Sequence, residues 1–211
     1  LDVENSLRGV LRGFGLKVGK TTERSFAARI NELVAGHPGL EVVAQALLAA
    51  HAVLLHEFND LQRRVSKMAR SHPQARLLMT TPAVGPIVGL TYAAAIDDPK
   101  RFRSSKAAGA HFGLTPKRYQ SGQTDISGRI SKVGDASVRE ALYQAAHIML
   151  TKPIKNCSAL KSWAMRIAKR AGMRKAKLAL ARKLAVILHR MLADGQPFNP
   201  TGRAATMAAA A

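Results

Sequence analysis

Ser121 is the side chain in this sequence best placed to act as a nucleophile. Gly122 follows it directly, Arg118 stands three residues before it, and Arg129 and Lys132 lie a short way beyond. A serine hydroxyl attacks phosphorus only when a base takes its proton and cations stabilise the charge that builds on the phosphoryl oxygens. Lys117, Arg118, Arg129 and Lys132 supply such cations, and Ser127 and Ser131 are the other serines set among them. Taken alone, a Ser-Gly pair is most often only a turn. The residues therefore point to nucleic-acid binding and leave the enzyme question open.

Competing chemistries are poorly served. Asp97 and Asp98 are adjacent, but no third or fourth carboxylate lies near enough to complete a metal site, so they read as turn and cap residues. No Cys/His cluster has zinc spacing, and a phosphate-cradling Walker loop and a dinucleotide fingerprint are absent. Cys157 is the only cysteine, which excludes an intramolecular disulfide and makes a reducing cytoplasm the simplest compartment. The seven histidines are scattered and read as surface or packing residues. No apolar run reads as long enough to span a bilayer, and no membrane association is expected.

Charge names the partner class. With 33 Lys and Arg against 13 Asp and Glu, the chain carries a formal net charge of +20, far from what a small neutral metabolite requires. From Ala141 to Ala193 there is no acidic residue. On the last helix of that stretch Leu180, Leu184, Ile187, Leu188 and Met191 make a core-facing stripe, with Lys175, Arg182, Lys183 and Arg190 on the other side. A basic face this unbalanced is suited to displacing counterions from a nucleic-acid backbone.

Helices must position these residues, and the expected fold is mainly α. Residues 1–38 read as two short amphipathic helices with Thr21 and Thr22 starting the second. Leu40, Leu47, Leu54, Leu61 and Met68 then recur every seventh residue, with Val43 and Ala50 completing a seam over the first half. That pattern predicts a helix over 39–72, roughly 50 Å long at 1.5 Å per residue. It fits either an antiparallel hairpin packed on the helix before it or a coiled coil pairing two protomers. His72-Pro73 ends it. Residues 73–199 read as a helical domain with a helix-hairpin-helix-like element, whose tip at Val84-Gly85 lets backbone N–H groups approach a phosphate, and a short irregular or β-like insertion around Ser121. Residues 200–211 read as a disordered tail.

Three segments in fixed order carry a family likeness: Leu78-Met79-Thr80-Thr81-Pro82-Ala83-Val84-Gly85-Pro86, then Phe112-Gly113-Leu114-Thr115-Pro116-Lys117-Arg118-Tyr119-Gln120-Ser121-Gly122, then Gly128-Arg129-Ile130-Ser131-Lys132-Val133-Gly134-Asp135. Together with Ala179 to Met191 and Leu11 to Gly19, they resemble the transposases of the IS-one-ten and IS-eleven-eleven group, up to about Phe198. The resemblance implies a DNA recombinase guided by a structured RNA. It also implies an N-terminal RNase H-like domain with an acidic, Mg2+-binding site, a coiled-coil dimerisation segment, and a C-terminal domain with a nucleophilic serine. By motif position that serine is Ser121. The acidic domain is not in this sequence, so residues 1–38 read as a linker remnant, no cofactor is expected here, and this chain alone is expected to be inactive. The alternative is a noncatalytic nucleic-acid-binding module, whether a regulator or a relic.

Overall fold

Thr22 opens the second helix by a reciprocal cap: the Ser25 amide donates to its hydroxyl at 3.3 Å, and its own amide donates to the Ser25 hydroxyl at 3.0 Å. Such a cap is worth about 1 kcal/mol. The computed structural model in which it is seen describes residues 2–200, apart from the side chain of Ser127. The tail expected over 200–211 lies, from Thr201 on, outside the described residues. Contacts divide the chain into two units, with the boundary after Arg64.

In the first unit, α1 (Asp2–Gly13) and α2 (Glu23–Val34) bury Leu7 and Leu11 against Phe26, Ile30 and Val34, each set spaced by four residues. The Arg8 guanidinium ties the connection back to α1, donating to the Gly19 carbonyl at 2.7 Å and the Thr21 hydroxyl at 2.8 Å. The long helix α3 runs Pro38–Ser71. It enters this core through Leu40, Ala44 and Leu48, and His51 Nε2 meets the Glu4 carboxylate at 3.0 Å.

That face packs on α2, as one of the two expected arrangements has it, and takes up Leu40 and the half-buried Leu47 of the heptad seam but not Val43 and Ala50. Packing against two short helices at one end selects four-residue spacing, and Val43 and Ala50 are left exposed. Farther along, Val53, Leu54, Phe58, Leu61 and Met68 are exposed as well. By length and composition α3 is also long and apolar enough to cross a bilayer, which corrects the reading that no such run exists. Its apolar stretch gives way to Asp60, Arg63 and Arg64, which pair with one another on the surface. The two guanidiniums, Arg64 first, hold the Asp60 carboxyl below its usual range.

The second unit is built around its last helix. His72 accepts from the Ala75 amide and starts α4 (Pro73–Leu78); α5 (Pro86–Ile96), a 3-10 turn (Pro99–Arg101) and α6 (Ser105–His111) follow. After β1 (Pro116–Ser121) and β2 (Thr124–Ile130) come α7 (Ala136–Thr151), α8 (Ser158–Ala171) and α9 (Met173–Asp194). The expected mainly α architecture is what the structure has.

α9 packs against α4, α6, α7, α8 and the 3-10 turn. It buries Leu180, Leu184 and Leu188 among the small residues Ala176, Ala181 and Ala185, which let neighbouring backbones approach. α7 answers with Val138, Leu142, Ala145, Ala146 and Met149, all fully buried. Each fully buried leucine contributes on the order of 1.5–3 kcal/mol of transfer free energy.

Polar groups in this core are paired. The Tyr92 hydroxyl donates to the Ala185 carbonyl at 2.5 Å, and burial pushes its pKa up, so it stays a donor. His189 Nε2 donates to the Pro99 carbonyl at 3.1 Å, which can only accept, and its Nδ1 lies 3.0 Å from the Ser105 hydroxyl. Among the described residues no buried side-chain nitrogen or oxygen lacks a partner.

Candidate nucleic-acid interface

The stretch around Ser121, expected as a short irregular or β-like insertion, is a two-stranded antiparallel hairpin. Gly122, with φ 53, supplies the positive dihedral that a two-residue hairpin turn needs at its first central position. Pairing runs Ser121 with Thr124, Gln120 with Asp125, Tyr119 with Ile126 and Arg118 with Ser127, before a bulge at Lys117. Side chains alternate along a strand, so Tyr119, Ser121, Thr124 and Ile126 share one face, and Arg118, Gln120 and Asp125 share the other.

This alternation corrects one expected role. Arg118 lies on the face opposite Ser121 and is engaged by Asp125, with Nε to Oδ1 at 3.0 Å and Nη2 to Oδ2 at 2.7 Å. The Ser121 hydroxyl is exposed and unpartnered among the described residues. Lys117, Arg129 and Lys132 are exposed and without ion pairs among the described residues. Ser131 sits lower, half-buried, its hydroxyl 3.5 Å from the Val133 amide.

Below the strands the two legs cross at backbone contact. The Ser131 amide donates to the Thr115 carbonyl at 2.9 Å and the Lys132 amide to the Gly113 carbonyl at 3.2 Å. At Gly113 (φ 64) a Cβ would stand 2.3 Å from the Val133 carbonyl oxygen, and at Gly134 (φ 78) 2.1 Å from that of His111. Only glycine meets both demands, of dihedral and of space. Between the legs Arg139 Nη1 is shared by four carbonyl oxygens: Gly134 at 2.9 Å, Val133 at 3.1 Å, Asp135 at 3.2 Å and Phe112 at 3.3 Å. Asp135 caps α7 through the amides of Ser137 and Val138.

Sequence reading missed Arg139. A signal was present: a cation in the first turn of a helix opposes the macrodipole, so its presence there asks for a specific partner.

The remaining predicted contacts fall elsewhere. Gly85 is the N-cap of α5 with φ −91 and nothing within 4 Å of where a Cβ would stand, so neither its dihedral nor packing within the chain calls for glycine there. The left-handed residue of that corner is Ala83, φ 65. On α9, Lys175 is exposed, the Arg182 stem packs beside Gly109 of α6, and Lys183 Nζ sits 4.2 Å from the Trp163 ring centroid. Two of those three cations thus also serve packing. Asp98 caps the 3-10 turn through the Lys100 amide at 2.9 Å. Among the described residues no group of three or more His, Cys, Asp or Glu side chains converges.

Comparison with known proteins gives this geometry a context. A family model described as Transposase IS116/IS110/IS902 family matches residues 75–157. The transposase for insertion sequence element IS1111A of Coxiella burnetii is 27% identical over 200 residues, covering 92% of this chain and 55% of that protein. A putative transposase, y4pF/y4sB, of Sinorhizobium fredii is 29% identical over 200 residues, covering 92% and 51%. A probable family 20 transposase of Pseudomonas aeruginosa is 26% identical over 207 residues, covering 93% and 60%. The chain spans about half the length of the curated relatives it matches. The part of the chain that matches the Transposase IS116/IS110/IS902 family model, residues 75–157, is the span that holds the serine hairpin and the carbonyl cluster beneath it.

Proposed function

We propose that this chain is the DNA-binding, serine-nucleophile portion of an insertion-sequence transposase acting in the cytoplasm, with Ser121 as the attacking group. The observation that carries the reading is the placement of Ser121. Its hydroxyl is exposed and unpartnered at the end of a firmly anchored cationic hairpin, inside the family-matched span. In the proposed step Oγ attacks a DNA phosphorus, the P–Oγ bond forms as the bond to the leaving sugar oxygen breaks, the serine proton passes to a base, and the leaving oxygen takes up a proton. Attack of a second strand's hydroxyl on the phosphoserine then releases Ser121 and joins the strands. Lys117, Arg129 and Lys132 offset the charge that builds on the phosphoryl oxygens.

No carboxylate stands on the Ser121 face, since Asp125 is turned to Arg118. The family resemblance implies an acidic RNase H-like domain, to which we assign the proton acceptor, and a guide RNA as a further partner. The test is covalent trapping on a nicked suicide DNA with that domain supplied. The expected result is an adduct with the wild type and none with Ser121→Ala. An adduct retained by Ser121→Ala would assign the attack to Ser127, Ser131 or another group.

The same lack of a neighbouring base favours a second reading, a noncatalytic DNA-binding module. It predicts salt-dependent binding that Ser121→Ala leaves intact and no adduct under any condition.

We also propose that the exposed apolar stripe of α3 pairs two copies of the chain. Light scattering at micromolar concentration is expected to report a dimer for the wild type and a monomer for Leu54→Lys. An equal mass for the two proteins counts against pairing through this helix.

A further inference from the structure

Beside Ser121 and Thr124, on the same face of the hairpin, stand the cross-strand partners Tyr119 and Ile126, which are 59% and 58% exposed. Strand propensity and cross-strand packing account for an aromatic opposite a β-branched residue, at a few tenths to about 1 kcal/mol. They do not account for the openness of this face, since every residue of β1 is exposed. The Tyr119 ring rests against Gly128, where a Cβ would stand 3.0 Å from Cε2. A side chain there would push the ring away; glycine lets it lie along the neighbouring strand.

Charge selects the occupant. Lys117, Arg129 and Lys132 flank this apolar pair along the chain, and Asp125, the one acidic residue of the hairpin, is turned to Arg118 on the other face. A partner that offers flat apolar surfaces next to regularly spaced negative charge is a nucleic-acid strand with unstacked bases. Same-face neighbours on a strand are about 7 Å apart, so a phosphate at Ser121 brings the base of its own or the next nucleotide to Tyr119.

We propose that Tyr119 and Ile126 form a nucleobase platform: the tyrosine ring stacks on an unpaired base flanking the phosphate presented to Ser121, and Ile126 wedges against that base's edge. The inference rests on the DNA-binding reading above and adds to it that the bound strand is locally unpaired at the serine. Aromatic stacking on single-stranded bases and apolar wedges at base steps both follow this chemistry.

The test uses the full chain with two labelled probes, an unpaired oligonucleotide and a fully paired duplex of the same sequence, read by fluorescence anisotropy. Tyr119→Ala is expected to weaken binding of the unpaired probe about tenfold while leaving duplex binding and its salt slope unchanged. Tyr119→Phe keeps the ring and should bind as the wild type does. Quenching of a 2-aminopurine base in the unpaired probe should appear with the wild type and with Tyr119→Phe but be lost in Tyr119→Ala.

Equal affinities of Tyr119→Ala and wild type for the unpaired probe overturn the platform and leave the DNA-binding reading standing. Equal losses on both probes, with Tyr119→Phe also impaired, assign Tyr119 a structural role and likewise overturn it. Failure of the wild type to bind either probe overturns both readings. Tyr119-dependent binding to anionic phospholipid vesicles in place of oligonucleotides would mark a membrane-facing hairpin instead.

Discussion

Gly134→Ala is expected to cost the second unit roughly 2–5 kcal/mol, through a left-handed backbone that disfavours a side chain and a contact that overpacks the site. The first cost arises at any glycine with φ near 78. The second is particular to this position, because the new methyl would lie 2.1 Å from the His111 carbonyl oxygen. That oxygen belongs to the end of α6, so relief requires moving a helix or the hairpin leg. Against a total stability of order 5–15 kcal/mol, such a change is severe. Gly195→Ala provides the comparison, since Gly195 is left-handed too, with φ 64 and ψ 20, but nothing lies within 4 Å of where its Cβ would stand. Urea unfolding should show Gly134→Ala losing clearly more stability than Gly195→Ala. Similar midpoints would mean that the crossing of the two legs is looser than described.

Arg139→Met is expected to loosen the hairpin at its root while leaving α7 in place. Four carbonyl oxygens share Nη1, and the side chain of methionine fills similar volume without a donor. Hydrogen bonds from a charged group contribute about 1.5–3 kcal/mol each when measured by removal. These four share the two hydrogens of one nitrogen, so the loss is expected at roughly 2–3 kcal/mol and not at a fourfold multiple. Hydrogen exchange gives the more telling readout: the Ser131 and Lys132 amides, which bond across the legs, should exchange faster, while amides in the middle of α7 keep their protection. Arg139→Lys should restore only part of it, because its ammonium offers donors at a single point, as Nη1 does, but on a stem one bond shorter. Unchanged protection at Ser131 and Lys132 would remove Arg139 from this role.

Much of the helical frame was legible in the sequence because helix ends are written locally. Thr22, the His72-Pro73 pair and Asp135 each act within three or four residues of where they stand, and each marks a boundary that the structure has. The stripe Leu180, Leu184 and Leu188 is equally local, since the 3.6-residue period needs no partner to be seen. The face of α3 was harder to read. Leu40, Leu47 and Leu54 satisfy a heptad as well as Leu40, Ala44 and Leu48 satisfy a four-residue spacing, and only the arrival of α1 and α2 decides between them.

The hairpin was the least legible part, because strand pairing is a relation between residues whose sequence spacing does not reveal it. With the segment read as partly irregular, Arg118 looked like a neighbour of Ser121; with a period of two along β1, it faces away and is bound to Asp125. Arg139 was announced only by its place in the first turn of α7, since its partners are main-chain carbonyls, which leave no mark in a sequence.

The crossing of the legs beneath Thr115 and Ser131 separates two properties of the hairpin that a loop would mix. Direction is fixed at the root, by Gly113, Gly134 and the Arg139 guanidinium. Reach is fixed by the number of residue pairs above the root, each moving the tip about 3.3 Å. Lengthening or shortening β1 and β2 by paired residues, in steps of two that keep Ser121 on its face, would slide the serine toward or away from a substrate without turning it. The second unit is therefore organised like a tool with a fixed mount and an interchangeable shaft, in which the working distance can drift while the bearing holds.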